Sequence, residues 1–487
     1  MRPPGAKKRC AQDVTDVVGT RHFVLYIADL QGSPYKQRTH SMPLVSSSRL
    51  RSILNALGPG LIMAGAAIGV SHLVQSTRAG AEYGYVAAVL VIAACLFKYP
   101  FLEYGPRYAT VTGESLLDGY RRLGTWAVAA FGLVTLGTMF IILASVTAVT
   151  AGLTGWLVGI TPNLTIWSGV VLGIALVILM WGRYQVLDRT MKVVMALLAA
   201  STLIAAVAAI VGPSAESVGT APGPEALLTT AGIAFALALM GWMPVPLDMA
   251  AWHSFWTLER ERDTGSRSDL RDVQTDFAIG YALSLLMALA FLVLGAAVMY
   301  DTGMSFDTQA VPFATQLVDL YNTTLGTWVG TLVGIAALTT MLSTTLAVTD
   351  AYGRIVAWYT AYAKGTPLAA RTLARPQYAL VGDGPETPDA DEPDDATALH
   401  RYYRLSLFVT PLGAWLLLAL LVNNLTVLVD VGTTLTFLAG PILAYMNFHL
   451  VCGDHMPEYA RPSTGMRVLS WAGLVFLIGF CVAYVVV

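Results

Sequence analysis

About eleven apolar stretches, each close to the length that carries a helix across a bilayer, recur along this chain and limit what it can become. They fall roughly at 56–77, 84–108, 125–150, 164–182, 188–212, 226–255, 275–300, 325–349, 404–422, 424–450 and 466–487. A helix needs about 20 apolar residues to cross the hydrocarbon core. Of the 487 residues, 12% are charged and 55% hydrophobic, where a soluble domain has roughly a quarter charged. The expected fold class is an all-α polytopic membrane protein of about 11 transmembrane helices. With a net charge of −2, nothing in the bulk electrostatics points to a nucleic-acid partner. Cys10, Cys95, Cys452 and Cys481 are scattered without a CxxC or Cys/His cluster, so neither a disulfide framework nor a zinc site is expected. No cofactor is expected.

Orientation follows from where the basic residues sit, because cytoplasmic loops retain Lys and Arg. The even-numbered connections carry Arg107, Arg121 and Arg122; Arg183, Arg189 and Lys192; Arg260, Arg262, Arg267 and Arg271; Arg354, Lys364, Arg371 and Arg375; and Arg461 with Arg467. The opposite connections, such as "GITPN" and "DTGMSFDTQ", are nearly free of them, Arg78 near the 1–2 connection being the one exception. The N-terminus is therefore expected inside the cell and the C-terminus outside. Residues 1–50 read as a disordered cytoplasmic tail, since "HFVLYIADL" is too short and wrongly flanked for a signal peptide. Residues 375–400 hold seven acids and four prolines and read as a disordered cytoplasmic loop. The remainder divides into spans 1–5 (51–212), spans 6–10 (225–450) and span 11 (464–487). The expected setting is the bacterial inner membrane, as a multi-pass monomer whose partners are the bilayer and a small solute.

Two spans carry polar breaks. Span 1 reads "AGAAIGVSHLVQSTRAG", with Gly69, Val70, Ser71 and His72 near mid-depth. Span 6 reads "LMGWMPVPLDMAAWH", with Trp242, Met243, Pro244 and Val245 ahead of Pro246. A proline inside a helix removes one hydrogen bond and clashes with the preceding turn, so continuous helix through 243–246 is not expected. In lipid a broken helix survives only where it is buried in protein or lines a cavity. Breaks five spans apart form the pattern of a 5+5 inverted repeat, with the binding site between the two discontinuous helices.

"GPGLIMAGAAIGVSHLVQSTRAGAEYGY" (58–85) resembles the first span of the Nramp (natural resistance-associated macrophage protein) family of divalent-metal transporters. Gly58-Pro59-Gly60, Ala79-Gly80 and Gly84-Tyr85 fall in step with the family's G-P-G, A-G and G-Y. Met243-Pro244 stands where the family has M-P-H, and "MLSTTLAVTDAYGRIV" matches its Ser/Thr-rich span 8. The resemblance implies a LeuT-type fold with broken helices 1 and 6 and transport by alternating access. It also exposes departures. The D-P-G-N motif is replaced by Gly69-Val70-Ser71-His72, the histidine of M-P-H is Val245, and a polar position of span 10 corresponds to Thr436. Of the family's side-chain metal ligands only Met243 remains, so the family's metal site is not expected.

Magnesium and manganese favour oxygen ligands, carboxylates above all. Cations, by contrast, stand inside the membrane at Arg78 and Lys98, and intramembrane ionisable residues are functional candidates by default. Either could also be structural, Arg78 by snorkelling outward and Lys98 by pairing with Glu103 or Asp248. On the functional reading Arg78, Lys98 and His72 make the cavity positive, and half-helix N-termini add to this. The expectation is a secondary transporter of a small anion such as bicarbonate, with Ser343, Thr344 and Thr345 lining the cavity. His72, His253 and Asp248 are the candidates for coupling to H+ or Na+. Two alternatives stay open: a divalent-cation transporter (Mn2+, Mg2+ or Fe2+) with an altered ligand set, and a membrane sensor that kept the fold. No nucleophile elbow, HExxH or paired-carboxylate motif supports an enzyme.

Overall fold

The protein is described by a computed structural model, which covers residues 59–159, 163–181, 184–212, 223–263, 268–365, 394–421 and 424–486. All of these fall in one compact unit. The expected tail over 1–50 lies outside the described residues, as does 375–393 of the expected acidic loop. The last residues of that loop are not loop at all. Span 9 is a helix from Asp394 to Leu421.

Every described element is helical. Seven helices are long and apolar enough to cross a bilayer, and Leu164–Met180, Met195–Val211 and Thr230–Gly241 are shorter apolar helices. The first of the seven, Ser71–Thr112, runs through the second half of span 1 into span 2, so these ten stretches cover all eleven expected spans. Spans 2 to 5 are Ala88–Thr112, Thr125–Val158, Leu164–Trp181 and Tyr184–Val211. Spans 7 and 8 are Leu270–Met299 and Thr327–Ala363, and spans 10 and 11 are Leu425–Cys452 and Thr464–Val486. Large apolar side chains such as Val89, Leu133, Val207 and Val475 face outward, as a lipid-facing surface requires and a soluble surface avoids.

Span 6 is broken where its prolines lie. One helix runs Thr230–Gly241 and the next Met249–Asp263. Neither Pro244 nor Pro246 has an N–H to continue the ladder. Span 1 breaks differently from the sequence reading. Helix Pro59–Ala67 stops, Ile68 and Gly69 bend, and a π-helical turn over Ser71–Ser76 leads into helix Thr77–Tyr83. The Ile68 amide still donates to the Ala64 carbonyl at 2.9 Å, so the ladder departs at Gly69, whose amide turns to the Ala67 carbonyl, and His72 donates to the Gly69 carbonyl at 3.1 Å. A π turn inside a membrane helix inserts an extra residue and often marks a functional position.

Span 1 is held to span 7 at backbone contact. A Cβ at Gly60 would run into the Asp276 carbonyl, and one at Gly80 into that of Leu292. From the other side, Gly280 meets the Gly60 carbonyl and Gly295 that of Thr77. Small residues that let backbones approach are how helices associate in lipid. The Asp276 carboxylate also accepts from the Gly60 amide at 2.8 Å, which caps the entry of span 1.

Candidate functional site

Between the two breaks lies a cavity of about 30 Å3, walled by Ala67, Val70 and Ser71 of span 1, Trp242 and Val245 at the span 6 break, Trp252, and Thr344 of span 8. A single water needs roughly 10–15 Å3, so in this conformation there is room for two water-sized groups. The wall is apolar apart from two hydroxyls and the indoles. Trp252 is 1% exposed and its indole N–H has no acceptor among the described residues. No group of three His, Cys, Asp or Glu side chains able to hold a metal ion occurs among the described residues.

The span 1 residues divide between wall and packing. Val70 and Ser71 are on the wall. Gly69 lies against span 8, where a Cβ would sit 3.0 Å from Thr344 Cγ2. His72 turns toward span 7 instead. Its Nε2 is 2.9 Å from the Ser284 carbonyl and its Nδ1 is 2.8 Å from Ser71 Oγ. A carbonyl only accepts, so Nε2 carries a proton toward Ser284, while the Ser71 hydroxyl donates to the Ala67 carbonyl at 2.9 Å and holds its oxygen against Nδ1. His72 is therefore a bolt between spans 1 and 7 whose ring nitrogens are both used, not a group facing the solute.

Arg78 does not snorkel. It is 8% exposed, with Nη1 donating to Asp430 Oδ1 at 2.9 Å and to Gln75 Oε1 at 3.2 Å. Its Nε donates to Glu82 at 3.3 Å. Gln75 in turn donates to Asp430 at 2.9 Å. This network joins span 1 to span 10 on the outer side of the breaks, and its carboxylates balance the guanidinium charge.

Lys98 corrects the sequence reading most sharply. Its expected partners were Glu103 or Asp248, yet among the described residues no carboxylate pairs with it. Its Nζ lies 3.1 Å from the carbonyl oxygen of Met240, 3.0 Å from those of Gly241 and Met243, and 2.6 Å from that of Val245. Glu103 pairs instead with Arg107 at 2.9 Å and accepts from Gln274 at 2.8 Å. Met243, fully buried, receives the Ser76 hydroxyl on its sulfur at 3.9 Å. Pro244 lines the cavity beside Val245. Trp242 donates its indole N–H to Thr436 Oγ1 at 3.1 Å, so Thr436 orients a wall residue without reaching the wall.

Below the break, Asp248 is 2% exposed. Tyr352 of span 8 donates to its Oδ2 at 3.3 Å, and its Oδ1 has no partner among the described residues. His253 is 1% exposed, its ring tilted against those of Trp256 and Phe277, with Nδ1 unpartnered among the described residues. On span 8, Thr344 reaches the wall. Thr345 turns to Thr150 of span 3 at 3.0 Å, and Ser343 is half-buried off the cavity. Asp350 pairs with Arg354 at 2.8 Å, as their i,i+4 spacing predicts. Arg354 also reaches Glu259 of span 6 at 3.0 Å, tying the inner ends of spans 6 and 8.

Sequence reasoning passed over Gln75, Asp430 and Trp252. Asp430 carried a signal, because an acid within an apolar run is a functional pointer on its own. Trp252 carried none that separates it from core packing.

Comparison with known proteins agrees with this architecture. Residues 60–487 match the family described as natural resistance-associated macrophage protein-like. An uncharacterized protein of Pasteurella multocida is 29% identical over 443 residues, covering 91% of this chain and 94% of that one. Among solved structures, a manganese transporter of Eremococcus coleocola (mutant H236A) superposes with a TM-score of 0.60 at 15% identity, covering 92% of this chain and 88% of its own. MhsT in complex with L-phenylalanine gives 0.52 at 14% identity, over 90% and 98%. At such identities the likeness speaks for the LeuT-type fold. The family match spans most of the chain, and the chain therefore belongs to the Nramp family of membrane transporters.

Proposed function

We propose that the chain carries a small hydrogen-bond-accepting solute, a small anion such as bicarbonate, by alternating access through the cavity between spans 1, 3, 6 and 8. The observation that carries this reading is the composition of the wall. The Trp252 indole N–H has no acceptor among the described residues, the Ser71 and Thr344 hydroxyls beside it donate to main-chain carbonyls, and no carboxylate lines the wall. A dication stripped of water faces a desolvation cost that neutral dipoles rarely offset. A small anion gains from donors and from the fixed positive charge of Lys98 behind the break. Arg78 and His72 do not contribute, since each is already engaged elsewhere. The outer Arg78–Asp430 and inner Arg354–Glu259 contacts are the two closures that such a cycle would open in turn. Asp248, with one carboxylate oxygen unpartnered among the described residues, is the coupling group, carrying H+.

One observation favours a second reading. Met243 keeps its sulfur in the span 6 break, and the Eremococcus coleocola neighbour is named a manganese transporter. Purified protein in liposomes separates the two. Uptake of labelled bicarbonate at alkaline pH, counted after removal of CO2, together with no quenching of a trapped dye by manganese, supports the anion reading. Manganese quenching that Met243→Ala abolishes replaces it with the metal reading. Binding of a solute without flux of any kind would favour a sensor.

A further inference from the structure

We propose that Lys98 is a built-in cation. Its ammonium occupies the carbonyl cage that the broken span 6 would otherwise offer to a metal ion, and so sets the site against dications. Four main-chain oxygens surround Nζ at 2.6–3.1 Å, from Met240, Gly241, Met243 and Val245. All four come from the last turn of helix Thr230–Gly241 and the unwound segment after it. The Met240 carbonyl also accepts from the Met243 amide at 3.3 Å; main-chain oxygens at the ends of discontinuous membrane helices are the ones that coordinate cations.

The geometry identifies the protonation state. An ammonium brings three donors, whereas a neutral amine brings two and a lone pair that would face oxygen lone pairs. Four oxygens converging on one nitrogen select the ammonium. The end of helix Thr230–Gly241 also presents the negative pole of its dipole to that charge. Lys98 is 1% exposed, and its partners sit on another span, so the side chain fixes the break from outside. Whatever occupies the cavity meets a cage already filled. A second cation at the same oxygens would have to displace a covalently tethered one and sit beside its charge.

This deepens the exclusion of dications in the proposed function and rests on that reading. Its readout is stability rather than flux, so the two fail separately: a chain that moves no bicarbonate can still pass the test below.

The test uses the full-length protein in detergent. Lys98→Met keeps the volume and removes the charge, leaving the carbonyls facing a thioether. Its thermal midpoint is expected to fall by roughly 5–10 °C, the size of shift a few unsatisfied buried groups produce. Lys98→Ala removes the equivalent of n-propylamine. Added n-propylammonium is expected to restore most of the lost midpoint in this variant, and neutral n-propanol to restore none. Manganese is expected to leave the wild-type midpoint unchanged. A Lys98→Met variant as stable as wild type overturns the proposal, as does equal rescue by propanol. So does a manganese-induced rise in the wild-type midpoint that Met243→Ala removes. Where Lys98→Ala cannot be purified, Lys98→Met and the wild-type manganese titration decide.

Discussion

Arg78 and Asp430 meet across 2.9 Å although they stand 352 residues apart. Their pairing joins the outer half of span 1 to span 10. The guanidinium is 9% exposed and the carboxylate 35%. Removing one partner of a buried pair costs about 3–5 kcal/mol. Because Asp430 is partly solvated and Glu82 still faces Arg78, we expect Asp430→Ala to cost about 1–2 kcal/mol. A double-mutant cycle with Arg78→Met, read by thermal unfolding in detergent, should give coupling of that order. The same Asp430→Ala variant should let a membrane-impermeant thiol reagent reach a cysteine placed at Ala67 from outside, where the wild-type background resists it. Additive single effects and unchanged labelling would mean that the contact closes nothing.

His72 should prove structural. Its two ring nitrogens are used by Ser71 and Ser284, and it is fully buried. Truncation to alanine removes both bonds and leaves a void, for an expected loss of about 2–4 kcal/mol. Solute preference and the pH profile of uptake should survive in whatever fraction folds. A His72 variant that remains as stable as wild type yet loses its pH dependence would return this residue to the list of coupling groups.

These two residues show what sequence reading can and cannot reach. The spans were legible because an apolar run is a one-dimensional signal, and the span 6 break was legible because proline lacks the donor a helix needs. The π turn over Ser71–Ser76 was not, since glycine marks a weak point in a helix without saying which ladder follows it. Lys98 was recognised as an intramembrane charge, yet its partners could not be named. They are main-chain oxygens, and a carbonyl looks the same under every side chain. For Arg78 the partner was a single acid in span 10, and only the fold brings it near. The family was legible from the motifs kept in spans 1, 6 and 8, even though the ligands those motifs normally carry are absent.

Spans 1 and 7 should move as one body. Gly60 and Gly80 meet span 7 backbone, and Gly280 and Gly295 meet span 1 backbone. A side chain at any of them forces the helices apart, and overpacking a tight contact typically costs about 1–3 kcal/mol. Gly80→Val should therefore lower the midpoint and reduce the yield of folded protein, whereas Gly137→Val, at a position with open space around it, should not. A disulfide engineered between the outer ends of spans 1 and 7 should leave transport intact. Loss of transport on oxidation, restored by reduction, would show that the two spans must slide past each other.

Asp248 is where coupling can be tested without knowing the solute's affinity. Its carboxylate is buried directly below the span 6 break, with Tyr352 on one oxygen and nothing among the described residues on the other. A buried carboxylate with an open oxygen is a place where a proton can be taken up and released as the surroundings change. Asp248→Asn fixes the neutral form while keeping the shape and the bond from Tyr352. If Asp248 carries the coupling proton, this variant should still exchange labelled solute for unlabelled solute across a liposome membrane, because exchange needs no net proton movement. It should fail to concentrate solute against a gradient when a pH difference is imposed, and its residual flux should no longer vary with pH. Exchange and concentrative uptake falling together would place Asp248 in the structural support of the break, and undiminished concentrative uptake would move the coupling to another group.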